Sequence, residues 1–291
     1  MNCLSSQFTI VIPCYNEQDA VELTIDAIIA AIPTMTFEII IVNDGSSDAT
    51  ADAITRVLAK YPLMVKSVAH DVNRGYGAAL KTGIMAARTE LIAITDADGT
   101  YPNERLHELV QECFDADMVV GARTGDKVDY SKLRALPKFF LRHWVSWLAG
   151  RAVPDINSGM RVFRKSVAEK YFRVLSDKFS FTITITLALM TNYHRVKFVP
   201  INYRQRIGKS KIKPIRDTWR FIILILRTGT YFAPVRAFSP IFGILFVFSV
   251  ISLFFDIFVL RNLTDKTILL FLFSLNIAMF ALLADMIDKR L

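Results

Sequence analysis

Two apolar runs near the end of the chain limit what it can fold into. Residues 241–255 read IFGILFVFSVISLFF and residues 268–284 read ILLFLFSLNIAMFALLA. Extended to 238–260 and 267–287, each reaches the roughly 20 residues that a helix needs to cross a bilayer. Both are apolar on every face, unlike a surface helix of a globular domain. The pattern predicts a C-terminal hairpin of two transmembrane helices, with Asp256 at the interface. Two buried core helices are the other reading that length allows.

Charge points the same way. The 291 residues carry a net charge of +8. Nine Lys/Arg and one acid, Asp217, fall between Arg204 and Arg236, and the remaining 26 basic and 26 acidic residues cancel. A basic segment directly before a span reads as a collar facing anionic lipid on the cytoplasmic side, and no nucleic-acid partner is expected. In IRDTWRFIILILRTG, Arg216, Arg220 and Arg227 oppose Phe221, Leu224 and Ile225, the pattern of an interfacial amphipathic helix. The opening MNCLSSQFTIVIPCYNE has neither a basic n-region nor an apolar stretch of signal-peptide length. The expectation is an integral membrane protein with its main domain on the cytoplasmic face of the plasma membrane, or of the ER membrane in a eukaryote. Cys3, Cys14 and Cys113 lack metal spacing and read as reduced thiols, and the four histidines are scattered.

Before the collar, β-branched runs recur at 8–13, 37–44, 65–71, 91–98 and 117–123, with helical patterns between them such as 19–31 and 47–60. That alternation predicts an α/β domain with a mostly parallel sheet. Ligands of such sheets bind outside the carboxyl ends of the strands. Those ends read PCYNE, NDGS, DAD and GAR, a convergence of polar, acidic and Gly-containing segments on one rim. Trp144, Trp147 and Leu148 form an apolar stripe, read first as core packing and alternatively as a membrane-surface helix.

Asp96 and Asp98 stand at i and i+2, so on a continuing strand they would point the same way. Two carboxylates there suit a divalent cation completed by phosphate oxygens and water. Asp44, ending the second strand, could accept from a base N–H or a ribose hydroxyl, or cap the next helix. NRGYGAALKTG places Lys81 after a Gly-rich turn, as in a phosphate cradle or simply as turn geometry demands. Arg161 and Arg164 after an Asn-Ser-Gly turn, and Arg206, Lys209, Ser210 and Lys211 beside the membrane, suit a phosphate group.

Together the IPCYNE, VNDGSSD, DAD and GAR strand ends resemble the GT-A fold of family 2 glycosyltransferases. The NSGMRVFRK and RIGKSK segments are similar to its polyprenyl-phosphate branch, which includes dolichyl-phosphate mannose synthases. The resemblance implies a Rossmann-like GT-A catalytic domain over 1–207, basic juxtamembrane interfacial helices over 208–236 and a transmembrane hairpin over 237–291. It implies inverting transfer of a sugar from a UDP- or GDP-linked donor to undecaprenyl or dolichyl phosphate, with Mg²⁺ or Mn²⁺, and leaves room for a homo-oligomer. Pro13, Tyr15, Glu17, Asp44 and Asp96, with Lys81, would hold the nucleotide sugar. Asp96 and Asp98 would serve the metal, and Asp98, Arg123 and Arg206 the catalysis. Arg123, Arg134, Arg206, Ser210 and Lys211 would bind the acceptor phosphate. After Asp98 the chain has Gly99-Thr100 where mannose synthases usually carry Leu-Gln, and Thr182 stands where relatives often have Glu. Two rival readings remain: a membrane polysaccharide synthase, and a haloacid-dehalogenase-like phosphatase with Asp96 as nucleophile and Asp98 as acid.

Overall fold

The computed structural model describes residues 7–33, 35–124, 135–178, 180–203, 223 and 226–288, with backbone alone at 135–141 and 288. Strands β1 (Phe8–Cys14), β2 (Phe37–Asp44), β3 (Val65–His70), β4 (Leu91–Ile94), β5 (Met118–Ala122), β6 (Arg161–Arg164) and β7 (Val196–Pro200) form one sheet. Their order is β3-β2-β1-β4-β6-β5-β7, and β6 alone runs antiparallel to its neighbours. The expected parallel core is present, interrupted by this reversed strand.

Helices α1 (Val21–Ala31), α2 (Thr50–Lys60), α3 (Tyr76–Ala86), α4 (Leu106–Glu112), α5 (Ala135–Ala149), α6 (Lys165–Lys170) and α7 (Phe181–Thr191) supply the outer layers. Alternation along the buried strands sorts the core. Ile10, Ile12, Ile39 and Ile41 pack with Ile25, Val57 and Leu109 of α1, α2 and α4. Val11, Ile40, Val42 and Val120 pack with Leu80, Val145 and Ile185 of α3, α5 and α7. Strands covered on both faces read as continuous apolar runs, which is why FEIIIV carries no polar alternation. Helix α2 starts later than the sequence pattern suggests. The Asp48 carboxylate receives the Thr50 N–H (3.0 Å) and hydroxyl (2.5 Å), holding residues 47–49 outside the helix.

Helices α8 (Pro234–Phe255), continued by a π-helical turn through Asp256–Leu260, and α9 (Asp265–Asp288) form the C-terminal hairpin. Both are long and apolar enough to cross a membrane, and most of their side chains face outward. That exposure sets aside the reading as buried core helices. Asp256 is fully buried, and its Oδ2 accepts from the Thr264 N–H (2.8 Å) and hydroxyl (2.7 Å). The acid therefore clasps the turn of the hairpin, which explains one charge inside an otherwise apolar span. Of the anticipated interfacial helix, Arg216, Arg220, Phe221, Leu224 and Ile225 lie outside the described residues, and Arg227 is exposed.

Candidate active site

Strand β4 ends at Ile94, so Asp96 and Asp98 are not strand residues as the i, i+2 argument assumed. Thr95, whose N–H still reaches Val11 O of β1 (3.5 Å), donates its hydroxyl to Asn103 Oδ1 (2.9 Å), and Gly99 turns the chain with φ +70°. The acids project from this turn. Asp98, 5% exposed, accepts at Oδ1 from the Thr100 hydroxyl (2.7 Å) and N–H (3.2 Å). Asp96, half-buried, accepts at Oδ1 from the Tyr76 hydroxyl (3.0 Å).

The reversed strand completes the rim. Because β6 runs opposite to β4, the 155–159 turn that leads into it lies where β4 ends. Gly159 packs against Asp96 and donates its N–H to the Tyr101 hydroxyl (2.6 Å). Burial, followed by the Asp96 charge, raises the Tyr101 pKa, and the same causes raise that of Tyr76. Both phenols therefore stay protonated, with O–H groups able to donate beside Asp96.

Arg123, just past β5, forms a fork with Asp155: Nε to Oδ2 at 2.7 Å and Nη2 to Oδ1 at 3.0 Å. Its backbone N–H adds a third bond to Oδ2 (3.0 Å), and its guanidinium lies 5.2 Å from the centroid of Tyr203. Burial alone would raise the Asp155 pKa, but the Arg123 hydrogen bonds outweigh it and hold the carboxyl below its ordinary range. Burial likewise opposes charge on Arg123, and Asp155 reverses the balance, so the guanidinium is held protonated.

The β1 and β2 exits are stitched together. Asn16, at φ +53°, accepts the Ser47 N–H at Oδ1 (2.9 Å), and Thr50 Oγ1 accepts the Glu17 N–H (2.9 Å). This fixes the Pro13–Glu17 segment, where Tyr15 is 37% exposed. Asp44 does not cap α2. Its Oδ1 receives His70 Nδ1 (2.7 Å) and the Arg74 N–H (2.9 Å), and its Oδ2 receives the Gly75 N–H (2.8 Å). A buried acid thus holds the loop between β3 and α3.

Several expectations need revision. Lys81, assigned to the donor, bonds Leu175 O (2.6 Å) and Asp177 Oδ1 (2.7 Å), bracing the loop before α7. The glycines ahead of it serve close approach, since a β-carbon on Gly77 would lie 2.0 Å from Ser176 O. Arg161 faces no phosphate. It is fully buried and donates to Ser158 O (3.0 and 2.6 Å), Thr182 O (3.0 Å) and Thr186 Oγ1 (3.0 Å). Burial pulls its pKa down to about 10. Arg164 donates to Phe114 O (3.0 Å). Trp147 is 53% exposed, so it is not core as its stripe suggested. Arg134, Arg206, Ser210 and Lys211 lie outside the described residues.

Sequence reasoning passed over Tyr76, Tyr101 and Asp155, and noted Gly159 only as part of a turn. Asp155 carried a signal: an acid two residues before the Asn-Ser-Gly turn, in a domain whose β5 is followed by an arginine.

For a metal, the described residues hold no group of three His, Cys, Asp or Glu side chains. Two carboxylates at a strand exit still fit Mg²⁺ or Mn²⁺, which take few protein ligands and fill their shell from phosphate and water. Gly159 supports the fit, because a side chain there would close the space beside Asp96.

Comparison with known proteins agrees with this arrangement. The family model described as "Glycosyl transferase family 2" matches residues 9–172. The chain is 27% identical over 242 residues to a dolichyl-phosphate beta-glucosyltransferase of Trichomonas vaginalis, covering 77% of this chain and 71% of that protein. It is 25% identical over 303 residues to a dodecaprenyl-phosphate galacturonate synthase of Rhizobium johnstonii, covering 98% and 88%. Across the curated relatives compared, the matched part spans 50% to 88% of the relative's own length. Among solved structures, glucosyl-3-phosphoglycerate synthase from Mycobacterium tuberculosis, in complex with Mn²⁺, UDP and phosphoglyceric acid, superposes with a TM-score of 0.59. The identity is 15%, with 77% of this chain and 79% of that one covered, so that likeness concerns the fold. The chain belongs to glycosyl transferase family 2.

Proposed function

We propose that this protein transfers a sugar from a nucleoside diphosphate donor to a polyprenyl phosphate, with inversion at the anomeric carbon. The observation that carries the reading is the meeting of the Asp96/Asp98 turn with the Asp155–Gly159 turn, in a domain tethered by two apolar helices. A lipid acceptor accounts for the tether. The names of relatives acting on dolichyl, undecaprenyl and dodecaprenyl phosphates support the same acceptor class.

The chemistry needs little proton transfer. A phosphate oxygen is already anionic near neutral pH and can attack the anomeric carbon directly. The bond from that carbon to the donor's diphosphate breaks, and the nucleoside diphosphate leaves with the electron pair. Holding two anionic substrates in line and stabilising the leaving group is then the main task. In this reading Pro13, Tyr15, Glu17 and Asp44 shape the nucleoside seat, with Asp44 acting through the loop it clasps. Asp96 and Asp98 would hold Mg²⁺ or Mn²⁺, which neutralises diphosphate charge when bound; the Mycobacterium enzyme's complexes contain these ions with UDP. Arg123, fixed in orientation by Asp155 and Tyr203, supplies positive charge at the rim. Arg206, with Arg134, Ser210 and Lys211, would meet the acceptor phosphate on the membrane side. The phosphatase reading is set aside by family membership and by a first acid that exits β4, deep in a seven-stranded sheet, rather than an opening strand.

The test uses detergent-purified protein with polyprenyl phosphate, Mg²⁺ or Mn²⁺ and a panel of UDP- and GDP-sugars, read by mass spectrometry. A sugar-monophosphate lipid formed from one donor and lost with EDTA is the expected result. Release of nucleotide without glycolipid would overturn the acceptor assignment.

A further inference from the structure

Outside the acid rim, a cavity of about 730 Å³ lies where α5 and the following loop meet the first turn of α8. Arg142, His143, Arg151 and Arg236 line it, with no carboxylate among the described lining residues. Bonds to backbone carbonyls, not to carboxylates, hold two of its arginines. Arg236 Nη1 donates to Leu148 O (3.0 Å), Trp147 Nε1 donates back to Arg236 O (2.9 Å), and Arg151 Nη2 donates to His194 O (2.6 Å). Gly150, at φ +72°, makes room for the Arg236 guanidinium, since a β-carbon there would lie 2.4 Å from Nη1. Arg142 is exposed and forms no ion pair among the described residues.

The cavity starts beside the sugar-transfer rim, since Pro154 lines it and Asp155 follows, and extends away from it. Helix α7 begins at that rim, where the Thr182 hydroxyl donates to Asn157 Oδ1 (3.0 Å). Its 11 residues rise about 16 Å toward His194, the residue that anchors Arg151. His194 in turn pairs with Asp117 at the start of β5, whereas Arg123 follows the end of β5. The cavity thus runs from Pro154, beside the rim, along the flank of the domain to Arg236 at the root of α8.

We infer that this cavity binds the phosphate-bearing headgroup of an anionic membrane lipid, as a site separate from the sugar acceptor. Three observations select a lipid. Arg236 belongs to the first turn of a helix built to enter a bilayer, so the cavity opens at headgroup depth. Trp147, half exposed with its indole N–H satisfied, has the amphipathic form that settles at membrane interfaces. Three arginines, with no carboxylate among the described lining residues, complement a phosphodiester, and each basic residue near an anionic surface adds attraction. The inference goes beyond the proposed reaction and does not depend on it.

The experiment is native mass spectrometry of the full chain in neutral detergent, titrated with phosphatidylglycerol or phosphatidylcholine. The wild type should retain phosphatidylglycerol preferentially. Arg142→Glu should weaken that retention by about fivefold or more, and Arg142→Gln by less. Both variants alter an exposed side chain, and glycolipid formation in neutral detergent should survive in both. Equal retention of the two lipids, or retention unchanged in Arg142→Glu, would overturn the inference. Full displacement by equimolar inorganic phosphate would instead make this a free-anion site. Loss of transfer in Arg142→Glu, or one-for-one displacement by polyprenyl phosphate, would return the cavity to the reaction.

Discussion

A β-carbon on Gly159 would lie 2.9 Å from each carboxylate oxygen of Asp96. Alanine can adopt the backbone there, and its N–H would still reach Tyr101, so the substitution acts on Asp96 alone. The carboxylate would have to shift by a few tenths of an ångström. Gly159→Ala is expected to lower turnover about tenfold, since small misplacements in a reacting site are costly. Steady-state transfer rates beside a thermal melt would check this, and an unchanged rate would show that the position of Asp96 is not critical.

Asp98→Asn keeps an oxygen to accept from Thr100 and removes only the charge. Transfer should fall by about 10²–10³-fold or more, the scale seen when a group stabilising transition-state charge is removed. The variant should remain folded and membrane-bound. Normal turnover would refute the metal assignment.

The Arg123–Asp155 fork is mostly buried, with side chains 18% and 10% exposed. Asp155→Asn leaves the guanidinium without its counter-charge and should cost about 3 kcal/mol of stability. The sign with pH follows from the depressed pKa of Asp155. Its stabilisation is fully present above the unfolded value of about 3.9 and is lost as pH falls through the lower folded value. Thermal melts of the wild type should therefore drop below about pH 4, and those of Asp155→Asn should change less across that window.

Arg161 offers a contrast, because its charge is met by carbonyl and hydroxyl oxygens alone among its described hydrogen-bond partners, besides the Met118 sulfur. Arg161→Met would leave Ser158 O without its guanidinium donors, at about 1–3 kcal/mol, whereas Thr182 O keeps the Thr186 hydroxyl (2.7 Å). We expect a lowered melting temperature together with slower transfer, since the Ser158 carbonyl belongs to the turn that closes on Asp96. A destabilised protein with full activity in the cold would limit Arg161 to a structural role.

Much of this architecture was legible because burial on both sheet faces forces long β-branched runs. FTIVIP and FEIIIVND could be placed as strands to within a residue or two. The two long C-terminal helices were legible because every face of the two runs is apolar. Other features depend on partners far away in sequence. Nothing local in LIAITDAD says that the strand stops at Ile94, because Asn103, eight residues on, holds the Thr95 hydroxyl where the chain begins to turn. Nothing in RVFRK marks β6 as reversed or Arg161 as buried, since α7 supplies the acceptors of that guanidinium. Lys81 looked like a phosphate ligand because its tie, Asp177, lies 96 residues away. Arg123 was identified from its strand end, while its counter-ion was hidden in a turn noticed for its glycine and arginines.

The reversed β6 also bears on how the protein is made. Strands β1 to β4 can pair in register as soon as they emerge from the ribosome, but β5 has no neighbour until β6 and β7 have followed. The sheet is therefore complete only at Pro200, and the first long apolar helix begins at Pro234. At ordinary synthesis rates that interval gives the nascent domain about 2–7 s to close its sheet before that helix begins to be made.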